Sequence, residues 1–107
     1  MPGQLTRKAI AAQPEWLRQV PERVGDRRLP DGARVLFTGC GTSYHAARAS
    51  GVAAQALELV LGDGPAADVL VAISHEGETP LTLEAVERFA GEKWLITGTP
   101  DGPIARA

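Results

Sequence analysis

The sequence has a single cysteine, Cys40, in 107 residues. That excludes an internal disulfide and a multi-cysteine metal site, and it fits a reducing, cytoplasmic compartment. Charge of neither sign dominates: the formal net charge is -2, and the lysines and arginines are scattered rather than gathered into a stripe. Neither nucleic acid nor an anionic membrane is expected as a partner. Long apolar runs are missing as well. The opening "MPGQLTRKAIAAQPEW" lacks the uninterrupted apolar core of a secretion signal, and no segment approaches the roughly 20 apolar residues of a membrane span. Internal repeats and low-complexity tracts are absent. The length allows one domain with one core, and it is short for an enzyme that builds its whole active site from one copy, so part of a larger domain is one reading.

What is present falls into elements. Residues 5–24 carry Ile10, Leu17 and Val20 among alanines and charges, the spacing of an amphipathic helix that packs one face and is interrupted or restarted at Pro14. Glycine, proline and charge in "GDRRLPDGA", residues 25–33, make a surface connection. Residues 1–33 therefore read as a helix and linker, and residues 34–107 as the domain. In "RVLFTG" the apolar Val35, Leu36 and Phe37 are consecutive, as in a strand buried on both faces. "VLVAIS", residues 69–74, is a second such strand and "KWLIT", residues 93–97, a third.

Between the strands the period changes. "TSYHAARASGVAAQAL", residues 42–57, repeats Ala46, Ala49, Ala53 and Ala56 at helical spacing, with Gly51 weakening the middle of the predicted helix by about 1 kcal/mol of propensity. "LELVL", residues 57–61, reads either as the end of that helix or as a short strand. "TPLTLEAVERFAG" has the parts of a helix in order: Thr79 as N-cap, Pro80 at the first position, Leu83, Val86, Phe89 and Ala90 on one face, and Gly91 as terminator. Strands with continuous apolar runs alternating with helices imply a parallel sheet covered on both sides, a doubly wound α/β architecture.

Two loops stand in equivalent positions, each between the carboxyl end of a buried strand and the amino end of a helix: "TGCGTSYH" and "SHEGETP". Open parallel sheets bind ligands at those strand ends, and helix N-termini offer unpaired N–H groups and a partial positive charge to anions. Gly39 and Gly41 let the first loop approach a ligand while Thr42 and Ser43 add hydroxyls, and Ser74, Gly77 and Thr79 do the same in the second. The plainer alternative is that these hydroxyls only cap helices. A dinucleotide fingerprint does not fit, because "GCGTSY" has Tyr44 where G-x-G-x-x-G needs its third glycine.

"TGCGTSYHAA" and "SHEGETPLTLEA" resemble the two signature loops of the sugar isomerase (SIS) domain family, particularly the isomerase portion of glucosamine-fructose-6-phosphate aminotransferase. "RKAIAAQPEWL" is similar to the K-E-I-x-E-Q-P segment that leads into that portion, so the likeness runs from residue 8 onward. The resemblance implies a three-layer α/β/α, flavodoxin-like parallel sheet, here the N-terminal part of the domain, that binds a phosphorylated sugar or aminosugar and works as a dimer. By the same resemblance Ser43, Ser74 and Thr79 hold the phosphate with backbone N–H groups around Gly77, and Cys40, Gly41 and Thr42 shape the first loop. His75, Glu76 and Glu78 complete the candidate binding set. No cofactor and no metal are implied, and Cys40 is expected to be structural.

The sequence departs from the family's pattern in three places. No glutaminase cysteine precedes the isomerase-like part, so glutamine hydrolysis is not expected. His75 and Glu76 stand where the family has a glutamine or arginine and then a serine; a carboxylate 4 Å from a phosphate charge costs about 1 kcal/mol in water and roughly 4 at an effective dielectric of 20. Either Glu76 points away, or a protonated His75 offsets it, or the ligand carries no phosphate there. Third, "GDGPAAD" is too short to hold a crossover helix, so "LELVL" is an irregular edge strand or simply helix.

Aldose-ketose interconversion needs a carboxylate to move a proton between C1 and C2 and an acid to open the ring. In the family those groups, a glutamate, a histidine and a lysine, follow the position where this sequence ends. Glu78, in a first helical turn, is a poor base, and His45 suits a packed or surface place on its helix. No residue of this sequence is therefore assigned as catalytic. The expectations are a phosphosugar-binding domain of a sugar-phosphate isomerase or aminosugar-phosphate deaminase, with a second copy or partner chain completing the site, or a non-catalytic sugar-phosphate sensor. A remnant without a stable fold is the third alternative, since an incomplete sheet leaves an unpaired edge.

Overall fold

The structure is a computed structural model describing residues 3–62 and 64–107. It divides into two compact units, Met1–Pro30 and Asp31–Ala107.

The first unit holds one helix, α1 (Gln4–Val24), closed at its end by the Gly25 N–H on the Pro21 carbonyl. It runs uninterrupted through Pro14 and Pro21, which corrects the expected break at Pro14. A proline cannot donate to the carbonyl four residues back, at a cost of about 3 kcal/mol in a helix interior. The carbonyls concerned belong to Ile10 and Leu17, both exposed residues, so solvent is available in place of the lost donor. No residue of α1 is buried, and Leu5, Ile10, Trp16, Leu17, Val20 and Val24 all stand exposed. Its own unit contains no second element to receive the stripe.

The second unit is built of β1 (Val35–Gly39), α2 (Thr42–Ser50), β2 (Ala53–Gln55), α3 (Ala56–Val60), β3 (Val69–Ile73), α4 (Pro80–Arg88) and β4 (Glu92–Ile96), followed by a 3-10 turn at Pro103–Arg106. The four strands form one sheet in the order β2-β1-β3-β4, every neighbouring pair parallel. This is a three-layer, flavodoxin-like α/β/α arrangement, with the strand order of the first four strands of that fold. Helices α3 and α4 pack beside each other on one face, and α2 packs on β1 and β2.

The continuous apolar runs do what their pattern requires. Leu36, Leu70 and Ala72 point to the α4 side and join Ala54, Val86 and Ile104 in one buried cluster, while Val69 and Val71 are buried on the opposite face. Each fully buried leucine or valine contributes roughly 1.5–3 kcal/mol. Thr38 is buried among them because its hydroxyl donates to the Ala54 carbonyl at 2.8 Å. At the opposite end of the strands Arg34 and Asp68 join the starts of β1 and β3. The Arg34 backbone N–H and Nε both donate to Asp68 Oδ2, at 2.9 and 3.3 Å, and Nη2 donates to Oδ1 at 3.1 Å.

Two boundaries differ from the sequence reading, and between them one of its open alternatives is decided. The alanine-rich helix stops at Ser50, and Ala53–Gln55 is an edge strand, paired Phe37↔Ala53 and Thr38↔Ala54. "LELVL" lies in helix: the Gln55 N–H meets the Glu58 carboxylate at 3.3 Å in a capping box that starts α3. The crossover therefore begins at Ala56, ahead of the "GDGPAAD" loop, whose Asp63 lies outside the described residues. Finally, α4 ends at Arg88 rather than running to Gly91. Phe89 is extended (φ -74°, ψ 128°) so that its ring packs on the core cluster, and Gly91 passes so close to the Asp68 carbonyl that a Cβ would collide with it.

Candidate functional site

In this strand order β1 lies between β2 and β3, and the connections leave it in opposite directions. The carboxyl ends of β1 and β3 thus flank the topological switch point, where open α/β sheets take their ligands. The two signature loops begin at those two ends.

The first loop depends on Gly39. A Cβ there would sit 2.9 Å from the Ser43 carbonyl carbon and 3.0 Å from the Ile73 carbonyl oxygen, so the bare glycine lets the first turn of α2 seat against the end of β3. Gly41 (φ 57°) then starts α2 with no side-chain cap. The Thr42 N–H accordingly has no acceptor among the described residues. Cys40 is half-buried with its Sγ 3.5 Å from the buried Thr82 hydroxyl of α4.

The second loop is a tight hydrogen-bonded turn. Ser74 is only 2 % exposed, and its Oγ accepts the N–H of Gly77, a residue with φ +70° that a side chain would strain. Thr79 occupies the N-cap position of α4 but makes no capping bond; its hydroxyl lies 3.4 Å from Ser74 Oγ. The expected cap is thus one of position only, because the side chain is drawn to the serine.

A third segment, which follows β4, holds this turn in place. The His75 carbonyl accepts the Gly98 N–H at 3.1 Å and the hydroxyls of Thr97 and Thr99 at 3.3 and 3.2 Å, and the Gly77 carbonyl accepts the Ile104 N–H at 2.9 Å. The carbonyls of His75 and Gly77 are therefore turned to protein. Its Glu76 and Glu78 N–H groups have no acceptor among the described residues, the polarity an anion would meet favourably.

The loops converge on an open hollow of about 230 Å³ lined by Thr42, Ser43, Ala46, Ile73, His75, Ile96, Thr97 and Gly98. Of the ten candidate residues, the hollow brings together Thr42, Ser43 and His75. Ser74, Gly77 and Thr79 form the turn that carries His75, Cys40 and Gly41 shape the first loop, and Glu76 and Glu78 are exposed and do not line the hollow. Thr97 and Gly98 were missed in the sequence. The available signal was positional, since they follow β4 as the two glycine-bearing loops follow β1 and β3. A second hollow, about 430 Å³, is lined by residues 22–27 around the end of α1.

Fold and hollow together define an open α/β domain with a cleft at its switch point. No family model matches the chain, and no curated protein proves similar to it. Among the described residues no helix is long and apolar enough to cross a membrane.

Proposed function

We propose that the second unit is a phosphosugar-binding domain of the sugar isomerase (SIS) type, acting in the cytoplasm. The observation that supports this reading best is the convergence at one switch-point hollow of Thr42 and Ser43, from a loop like the family's first signature, with His75 of a loop like its second. Two nine-residue helices, α2 and α4, start at these loops, so open N–H groups and the positive ends of two dipoles favour an anionic group there. The sugar ring then lies toward Ala46, Ile73 and Ile96, apolar surface suited to its C–H faces.

The function proposed for these residues is binding. Aldose-ketose isomerisation or aminosugar deamination requires a carboxylate at C1–C2, and His75 is the sole ionisable side chain lining the hollow among the described residues. An isomerase or deaminase of this kind takes its remaining groups from a second copy or a partner chain, whereas a sensor needs none. Chemical-shift mapping with fructose 6-phosphate and glucosamine 6-phosphate tests the reading. Perturbations are expected at the amides of Thr42, Ser43, Glu76 and Glu78; a folded sample with no perturbation at these loops contradicts it.

A further inference from the structure

We propose that α1 lays its apolar stripe on an anionic lipid surface, with the helix axis in the plane of the bilayer. The inference concerns the first unit alone and is independent of the phosphosugar reading.

Three observations carry it. First, the helix is two-sided. At the pitch of an α-helix the exposed Leu5, Ile10, Trp16, Leu17, Val20 and Val24 fall within an arc of roughly 140°, with Thr6 and Gln13 the uncharged polar residues inside it. Second, the charges are ordered about that stripe. Arg7 borders it on one side and Lys8 and Arg23 on the other, whereas both acids, Glu15 and Glu22, lie opposite, where the Arg18 guanidinium donates to Glu15 at 3.3 Å. Third, the first unit is basic. Six of the eleven lysines and arginines but only three of the thirteen acids fall in residues 1–30, which gives this unit +3 and the rest of the chain -5. The expectation of no anionic membrane rests on the whole-chain charge of -2, in which this difference cancels.

The order of the charges selects the occupant. A second copy laid stripe to stripe would bring Arg7, Lys8 and Arg23 together while both acids face away. Anionic headgroups instead supply counter-charge along both borders, as the long basic side chains reach up to them and the apolar residues enter the acyl boundary. Trp16 suits the same depth, because an indole favours the membrane-water interface. The helix lies on the bilayer and does not cross it, since no helix among the described residues is long and apolar enough to span. The Ile10 and Leu17 carbonyls, deprived of a donor by Pro14 and Pro21, need water, which keeps α1 at the hydrated headgroup level.

The test is co-sedimentation of the full chain with vesicles of phosphatidylcholine alone and of phosphatidylcholine with about 30 % phosphatidylglycerol. Partition onto the anionic vesicles is expected to be at least about tenfold stronger, and to fall to the level of phosphatidylcholine in roughly 1 M salt. Leu17→Glu should abolish binding, and Arg7→Gln combined with Lys8→Gln should weaken it about tenfold or more. Leu61→Gln, at an exposed leucine of the second unit, keeps the parent binding. In Trp94→Phe the remaining tryptophan is Trp16, whose emission should shift to the blue on the vesicles. No binding by folded protein, equal binding to the two vesicles, binding that survives Leu17→Glu, or an unmoved Trp16 emission overturns the proposal. So does a lipid-free dimer in sedimentation equilibrium that Leu17→Glu dissociates, because a second copy then covers the stripe. Thermal melts establish that each variant is folded, and none of these results bears on the phosphosugar hollow.

Discussion

Ser74 Oγ accepts the Gly77 N–H at 3.1 Å, and this bond closes the turn that presents His75 to the hollow. Both residues are buried, so water cannot replace the bond. Ser74→Ala leaves a buried amide without a partner, and a loss of about 1–3 kcal/mol of unfolding free energy is expected in a urea titration. Phosphosugar affinity should fall with it, because the displaced turn carries His75 and the open Glu76 and Glu78 amides.

Gly39→Ala tests the seating of the first loop. The new methyl would lie 2.9 Å from backbone and Cβ atoms of Ser43, so α2 must move away from β3. The expected cost is about 1–3 kcal/mol by denaturant melt, with weakened ligand binding as Ser43 leaves the hollow.

Glu76→Ser bears on the carboxylate that departs from the family pattern. Since Glu76 is exposed and does not line the hollow, its charge acts on a ligand through solvent and salt. Affinity for fructose 6-phosphate measured at 0.15 M salt is expected to change by less than about twofold. A tenfold gain would show that the carboxylate faces the ligand.

The exposed pair at the other end of the sheet contributes a pH-dependent part of the stability. Arg34 holds the Asp68 carboxyl below its usual range, chiefly by a side-chain hydrogen bond and then by the Arg34 backbone N–H. A carboxyl lowered in the folded state stabilises above its unfolded value, about pH 3.9, and that contribution is lost as pH falls through the folded one. Asp68→Asn should therefore be less stable than the parent at pH 5–7, with the gap closing in acid-unfolding curves as pH falls below the unfolded value. The gap should persist in high salt to the extent that hydrogen bonds rather than screened charge join β1 to β3.

Much of this arrangement was legible because local pattern and tertiary role agree. Val69 to Ile73 read as a buried strand and are one, and Thr79-Pro80 marked the start of α4 because proline fits a first turn wherever the helix lies. Ala53–Gln55 was not legible. Alanine favours helix locally, and only pairing with Phe37 and Thr38, distant in sequence, turns three residues into a strand. Gly51 and Val52, a breaker and a β-branched residue, were the hint of it. The third wall at Thr97-Gly98 depends on the register Ile73↔Ile96, which no local pattern encodes. The fate of "HE" likewise turned on which side chain lines the hollow.

The most direct test of the central claim is calorimetric titration of the full chain at pH 6 with fructose 6-phosphate against unphosphorylated fructose. A dissociation constant between about 1 μM and 1 mM for the phosphorylated sugar is expected, with no measurable heat from fructose. Equal binding of the two sugars, or none by a folded sample, would contradict a phosphosugar site at the β1–β3 switch point.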